Sequence, residues 1–447
     1  MALNITGMAF SLIRGPFWGL LVYANMYFIT IHPKLNWWAQ YVPQARWGLL
    51  SSAVLLTSMF LHRDKLSKWQ FACFRWEIAL LLLTGCLALT VANARQEALD
   101  LTYRLATYVM ASWILVRVLR DEKYFNWFCL AIIGFSAFLS LNAFLYGKRI
   151  HERLEGIGPN DANGSNEFGL LLASILPLLL PFLLKGKFHE KVICLLSLPF
   201  LINAFILCNS RGAFVAIVAS LFVLLLFPLG KDSRKKILIV AVLFIPVFMY
   251  LADAAFFDRL LSLALSDKAI DDQGVAAQLS SGRTEIWKVG IEMAKDHPFG
   301  LGPEGFRRMA HLYMPETLLS FDPSYEYGTR ASHNTYLQIM VEQGIVGLLL
   351  LLGLCLNVLL LLWGRIRKSG GNKNNAEMQQ PQLRLVALLF SFFISLFGGL
   401  FTARMYYEFF WWQIALATVA ASLADGKDTK LARSTGVENI DITKVVI

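Results

Sequence analysis

The chain is short of charge. Of its 447 residues only 16% are Asp, Glu, Lys or Arg, and 56% are hydrophobic, whereas a soluble chain carries roughly a quarter charged residues. That shortage excludes an ordinary water-soluble domain and places the chain in a bilayer. Paired cysteines are also missing. Cys73, Cys86, Cys129, Cys194, Cys208 and Cys355 lie in or beside apolar runs without paired spacing, so neither a disulfide framework nor a zinc site is expected. No Asp-x-Asp pair occurs, which leaves a metal-bound nucleotide-sugar site of the common kind unsupported, and no metal or cofactor is expected. The stretch from His32 to Arg46 contains no Asp or Glu, a poor fit to membrane enzymes that keep a catalytic acid in their first outer loop. No Walker motif, Gly-x-Ser-x-Gly elbow, heptad array or internal repeat is present.

What is present is a series of apolar runs. A membrane-crossing helix needs about 20 mainly apolar residues, and runs that meet or approach this lie near 8 to 31, 46 to 62, 76 to 93, 101 to 119, 124 to 146, 167 to 184, 191 to 208, 212 to 229, 235 to 252, 335 to 363, 384 to 403 and 407 to 424. The expectation is an all-α polytopic membrane protein with about twelve spans. Arg14 interrupts the first run and Arg104 the fourth. With no small-residue cleavage site near Arg14, the first run reads as a retained helix.

The formal charge of +10 gathers between spans, so it speaks for topology and not for nucleic acid. Arg63, Lys65, Lys68 and Arg75, then Arg117, Arg120 and Lys123, then Lys185, Lys187 and Lys191, then Lys231 to Lys236, and finally Arg365, Arg367, Lys368 and Lys373 all follow even-numbered spans. The positive-inside rule places these loops, and with them both termini and the tail at 426–447, in the cytoplasm. Spans one to nine then occupy residues 1–252, and ten to twelve residues 335–425. The remaining outward loop, 253–334, is far longer than ordinary connections and reads as functional. Within it, Ile286, Val289, Gly290 and Met293 recur at helical spacing after Arg283, and Asp296-His297-Pro298-Phe299-Gly300-Leu301-Gly302 has the punctuation of a helix stop and turn.

Three polar clusters stand where outer loops meet spans. Asn209-Ser210-Arg211-Gly212 puts Arg211 at the membrane surface, where it either snorkels or binds an anion. Ser281-Gly282-Arg283 puts Arg283 at a helix start, as a phosphate ligand or in a surface ion pair. Ser332-His333-Asn334-Thr335 puts His333 at a span entrance, as a general base near neutral pH or as a helix cap. His32, His151, His297 and His311 face the same side, so histidine alone discriminates little. Arg404, Tyr406, Tyr407 and Glu408 form a further polar knot. There Glu408 either orients His333 or Arg211 or belongs to an interfacial belt with Arg404.

In order, Arg211 in a short outer turn, a long loop with Gly282-Arg283 and Trp287, Asp296-His297-Pro298 with Gly300 and Gly302, and His333-Asn334 leading to Gly344 and Gly347 resemble the O-antigen ligase and polymerase superfamily. Gly158-Pro159-Asn160-Asp161 through Asn166-Glu167-Phe168 is similar to the polar segment these proteins place before a middle helix. The resemblance implies a metal-independent, inverting transfer of a glycan from undecaprenyl diphosphate to an acceptor hydroxyl at the periplasmic face of a bacterial inner membrane. It assigns Arg211 and Arg283 to the diphosphate and His333 to activating or positioning the acceptor hydroxyl, with Asn334, Gly282 and Trp287 of the same motifs as further substrate contacts, while position alone adds Arg404 and Glu408 as candidate supporting residues. The acceptor would be lipid A core or a protein. A repeat-unit polymerase is the alternative, kept open by the Gly147 to Asn166 loop with Lys148, Arg149 and Arg153. A transporter would need broken helices or internal symmetry, and the sequence offers neither.

Overall fold

A computed structural model describes residues 2–29, 46–68, 74–150, 153–226, 234–235, 238–239, 283–320, 327–369 and 379–434. Helices dominate them. The first apolar run is not one helix: it breaks at Gly15 into α1 (Ala2–Arg14) and α2 (Pro16–Phe28). Pro16 lacks a backbone donor and disfavours helix at the residue before it, but suits the first position of a new helix. The chain therefore doubles back, with Gly7 against Val22 and Gly19 against Ser11. Each arm is about 20 Å long at 1.5 Å per residue, short of a hydrocarbon core roughly 30 Å thick. The span expected near 8 to 31 is corrected to a packed hairpin.

Then follow α3 (Trp47–Leu61), α4 (Arg75–Thr90), α5 (Arg95–Val118) and α6 (Glu122–Tyr146). Arg104 does not interrupt α5, because its side chain is exposed. A short hairpin, β1 (Lys148–Ile150) with β2 (Arg153–Glu155), pairs Lys148 with Glu155. Next, α7 (Ser165–Ile175) passes through a 3-10 turn containing Pro177 into α8 (Leu180–Lys185). After α9 (Phe188–Leu207) and α10 (Arg211–Leu226), most of the ninth expected span and the loop up to Gly282 lie outside the described residues. The chain resumes with α11 (Arg283–Asp296), α12 (Gly305–Tyr313), α13 (Thr335–Ser369), α14 (Gln380–Gly398) and α15 (Glu408–Ser434). The last helix continues beyond the expected 424.

Among the described residues five helices are long and apolar enough to cross a membrane: Glu122–Tyr146, Ser165–Lys185, Phe188–Leu207, Thr335–Lys368 and Gln380–Gly398. The apolar α3 and α10 are shorter. This makes the chain a multi-pass membrane protein. Its central helix is α14, packed on α7, α8, α10, α13 and α15. In lipid, apolar contact alone gives helices little reason to associate, and interhelical hydrogen bonds help to hold them. Here Gln413 on α15 donates to the Ser391 hydroxyl of α14 at 2.7 Å and accepts from Ser395 at 2.6 Å.

The two ends of the bundle differ. At one, Lys65 donates to the Arg14 carbonyl at 2.9 Å, the Ser67 amide donates to the Arg117 carbonyl at 2.8 Å, and Arg384 pairs with Glu122. At the other, α12 is tied to the start of α5 through Arg308 and Glu97. Both helices of the segment before α13, α11 and α12, gather at that second end.

Candidate anion and acceptor site

The long loop is fastened to α13 by a break in that helix. Gly344 has φ +69, and the helix is kinked there. The break leaves carbonyls without intrahelical partners, and the turn after α11 uses them: Leu301 donates to the Val341 carbonyl at 2.9 Å and Gly302 to the Glu342 carbonyl at 2.8 Å. Ile345 returns a bond to the Pro298 carbonyl at 3.1 Å. A Cβ on Gly344 would stand 2.5 Å from the Pro298 oxygen, and one on Gly300, itself at φ +91, would stand 2.6 Å from the Glu342 oxygen. Only glycine permits this approach. Ile286, Gly290 and Met293 of α11 then pack with Phe306 and Leu337, fixing the start of α11, where Arg283 stands.

His333 is set by a second anchor. Thr335 donates its amide to the Gly399 carbonyl and its hydroxyl to the Thr402 carbonyl, each at 2.7 Å. Its hydroxyl oxygen accepts from the Arg404 amide, also at 2.7 Å. Asn334 caps α13, its Oδ1 accepting from the amides of Tyr336 at 3.0 Å and Leu337 at 3.1 Å. Trp287 of α11 donates to the Ser332 carbonyl at 3.3 Å. Between these fixed neighbours His333 takes φ +47, a left-handed conformation that non-glycine residues hold mainly where their surroundings impose it.

The third contributor is the tight turn between α9 and α10. Asn209 adopts φ +48, and the Ser210 hydroxyl accepts from the Ala213 amide at 3.4 Å, capping α10. Arg211 is the first residue of α10. Gly212 lets that helix lie against Phe401, since a Cβ there would be 2.8 Å from the Phe401 Cβ. Phe401 also carries the Arg283 guanidinium 5.8 Å from its ring centroid.

These segments enclose an open cleft of about 200 Å³ lined by Arg153, Asn166, Asn209, Arg211, Gly212, Arg283, Arg330 and His333. The arrangement brings together Arg211, Arg283 and His333, which come from three separate stretches of sequence. Arg153 enters from β2 and donates to Asn166 Oδ1 at 2.7 Å. Arg330 precedes the His333 turn and donates to Ser320 at 2.9 Å. Sequence reasoning had Arg153 only as part of a basic loop and did not single out Arg330. Nothing in a one-dimensional pattern marks either as a neighbour of Arg283.

The electrostatics are those of an anion site. Burial, followed by the charges of Arg211 and Arg153, lowers the pKa of Arg283 from its usual value, and its buried Nε has no hydrogen-bond partner among the described residues. Burial and then the positive charges of Arg283, Arg330 and Arg307 push the His333 imidazole down to about 4. At neutral pH the ring is uncharged and can accept a proton. Four arginines line one cleft, where Glu167 opposes part of the charge around Arg283, and the guanidinium fork matches phosphate oxygens.

Other expected site residues are placed elsewhere. Asn334 and Trp287 hold the histidine turn, as described, and do not line the cleft. Gly282 lies outside the described residues. Arg404 is 1% exposed, donates to Ser395 at 3.2 Å and lies over the Tyr407 ring. Of the two readings of Glu408, orienting His333 or Arg211 draws no support from its hydrogen bonds: it accepts from Tyr23 at 2.5 Å and Trp412 at 3.1 Å, and its amide donates to Asp161. Both residues support the fold behind the cleft. His297 bonds Tyr313 and His311 stacks on Tyr327, while His32 and His151 lie outside the described residues.

No curated protein matches the chain. Residues 196–352, however, match the family model described as O-Antigen ligase. The matched segment contains Arg211, Arg283, Arg330 and His333, whereas Arg153 and Asn166 lie before it and Arg404 and Glu408 after it. Most of the cleft's charge and its histidine thus come from the segment that is similar to the O-antigen ligase family.

Proposed function

We propose that the protein transfers a glycan from undecaprenyl diphosphate to an acceptor hydroxyl, acting as an O-antigen ligase-like enzyme whose acceptor is lipid A core or a protein. The observation that carries this reading is the convergence of Arg211 and Arg283 with an uncharged His333 in one cleft. In the reaction the acceptor oxygen attacks the anomeric carbon on the face opposite the diphosphate, giving inversion. The bond between that carbon and the phosphate oxygen breaks, and the lipid diphosphate leaves with the electron pair. His333 receives the hydroxyl proton. The leaving group is already a good one, so the protein's task is to neutralise the growing charge and to aim the nucleophile. Arginines supply the first, without a bound metal.

Orientation follows from charge. The end of the bundle bearing Arg63, Lys65, Arg117 and Arg384 belongs in the cytoplasm by the positive-inside rule. The opposite end, with α11, α12 and the cleft, then faces the periplasm of an inner-membrane protein, where residues 253–334 form the catalytic loop. The polymerase reading draws its own support from Arg153, because that residue brings the second outer loop into the cleft.

The deciding experiment incubates the purified full chain in lipid nanodiscs, with EDTA, with an undecaprenyl diphosphate glycan and separately with lipid A core, candidate protein or a second lipid-linked glycan. Transfer to lipid A core or protein that is lost in His333→Ala supports the ligase. Lengthened lipid-linked chains support the polymerase instead, and the absence of transfer to any acceptor overturns both.

A further inference from the structure

The Asn209 side chain stands buried in the cleft. The residue is 3% exposed, it lines the cleft with Arg211, Arg283 and His333, and among the described residues both Oδ1 and Nδ2 lack a hydrogen-bond partner. Its neighbour makes the contrast. Asn166 lines the same cleft, and its Oδ1 accepts from Arg153 at 2.7 Å and from Ser210 at 3.1 Å. Burying an amide unpaired is unfavourable, and the left-handed backbone at Asn209 adds to that burden, though Asn tolerates it better than most residues. Such a residue signals a partner that arrives with the ligand.

The amide also specifies what that partner offers. Whichever way it is turned, it presents one acceptor oxygen and one donor NH₂. A diphosphate only accepts, so it satisfies the donor half and leaves Oδ1 bare. A ligand that satisfies both halves carries an O–H or N–H beside the phosphate, and on a sugar diphosphate the nearest such group is the substituent at C2. Resting on the function proposed above, we infer that Asn209 reads the first sugar of the donor, giving an N–H to a diphosphate oxygen and accepting from a C2 hydroxyl or acetamido N–H. The arginines then hold the lipid diphosphate whatever its sugar, and Asn209 adds sugar selectivity.

The test measures binding to the full chain in nanodiscs of three ligands: undecaprenyl diphosphate without sugar, the same lipid bearing a sugar with a C2 hydroxyl or acetamido group, and its 2-deoxy counterpart. Wild type is expected to prefer the C2-substituted lipid by about tenfold, the scale of one hydrogen bond. Asn209→Gly keeps the left-handed backbone without strain and should bring that ratio to about one. Asn209→Asp retains an acceptor but places a carboxylate against phosphate. It should keep a preference while losing affinity for the sugarless lipid. Equal binding of the two sugar lipids by wild type, or an undiminished ratio in Asn209→Gly, overturns the inference alone. Failure of wild type to bind even sugarless undecaprenyl diphosphate removes the donor reading and this inference with it.

Discussion

Arg211 and Arg283 reach the same cleft from different helices. Burial and the neighbouring guanidiniums both act against the charge on Arg283. If these residues bind the leaving diphosphate, Arg211→Ala and Arg283→Ala should each lower kcat/KM for transfer by roughly 10² to 10³, the usual cost of removing one donor to developing charge. The Lys variants should fall between, because a point charge replaces a bidentate fork. Transfer assays in membranes at matched protein levels check both. The pH profile follows from His333. With its pKa at about 4, the base form persists down to that pH in the free enzyme, so kcat/KM should be flat from neutrality and fall only as pH drops through about 4. A bound diphosphate offsets Arg283 and Arg330 and favours the imidazolium, so the acid limb of kcat should lie at higher pH than that of kcat/KM. Coincident limbs would argue against His333 as the base.

At the scale of elements, the kink in α13 explains three glycines that the sequence offers only as a motif. Gly344, Gly300 and Gly302 form the seam along which the outer loop docks, and α11 hangs from that seam with Arg283 at its far end. Gly344→Ala places a methyl group 2.5 Å from the Pro298 oxygen at φ +69, with a cost of order 1 to 3 kcal/mol. The expected outcome is a lower melting temperature, faster proteolysis between Asp296 and Gly302, and a reduced kcat, although no residue of the cleft has changed. Unaltered proteolysis would mean that the seam does not hold the loop. The first run turned on local chemistry: hydropathy sees a continuous apolar stretch, but Pro16 breaks it.

Across the whole molecule, the region behind the cleft is held by polar contacts between distant parts of the chain. Tyr23 on α2 bonds Glu408 on α15, and the Glu408 amide bonds Asp161 in the segment before α7, at 2.6 Å. Burial raises the pKa of Asp161 from its usual value. A structural role for this knot predicts that Tyr23→Phe costs about 1 to 3 kcal/mol by leaving the buried Glu408 short of a donor. The melting temperature should fall while affinity for undecaprenyl diphosphate stays unchanged. Weakened lipid binding without a thermal effect would instead draw Glu408 into the site.

Much of this was legible in the linear chain, for reasons that differ from residue to residue. Long apolar runs can satisfy their backbone in lipid only as helices, so α6, α9 and α14 fall close to their expected bounds, and the helical spacing of Ile286, Val289, Gly290 and Met293 announced α11. Arg211, Arg283 and His333 stood out through the order of their short polar motifs along the chain and the resemblance which that order carries. Their common cleft was not, since it depends on loop docking at Gly344 and on Phe401 seating both α10 and Arg283. The same holds for Arg153, Arg330 and Asn209, whose meaning lies in what surrounds them. Composition determined that this chain enters the bilayer as helices. Only the packing of those helices decided which polar side chains face one another, because contact between residues far apart in sequence is a property of the folded chain.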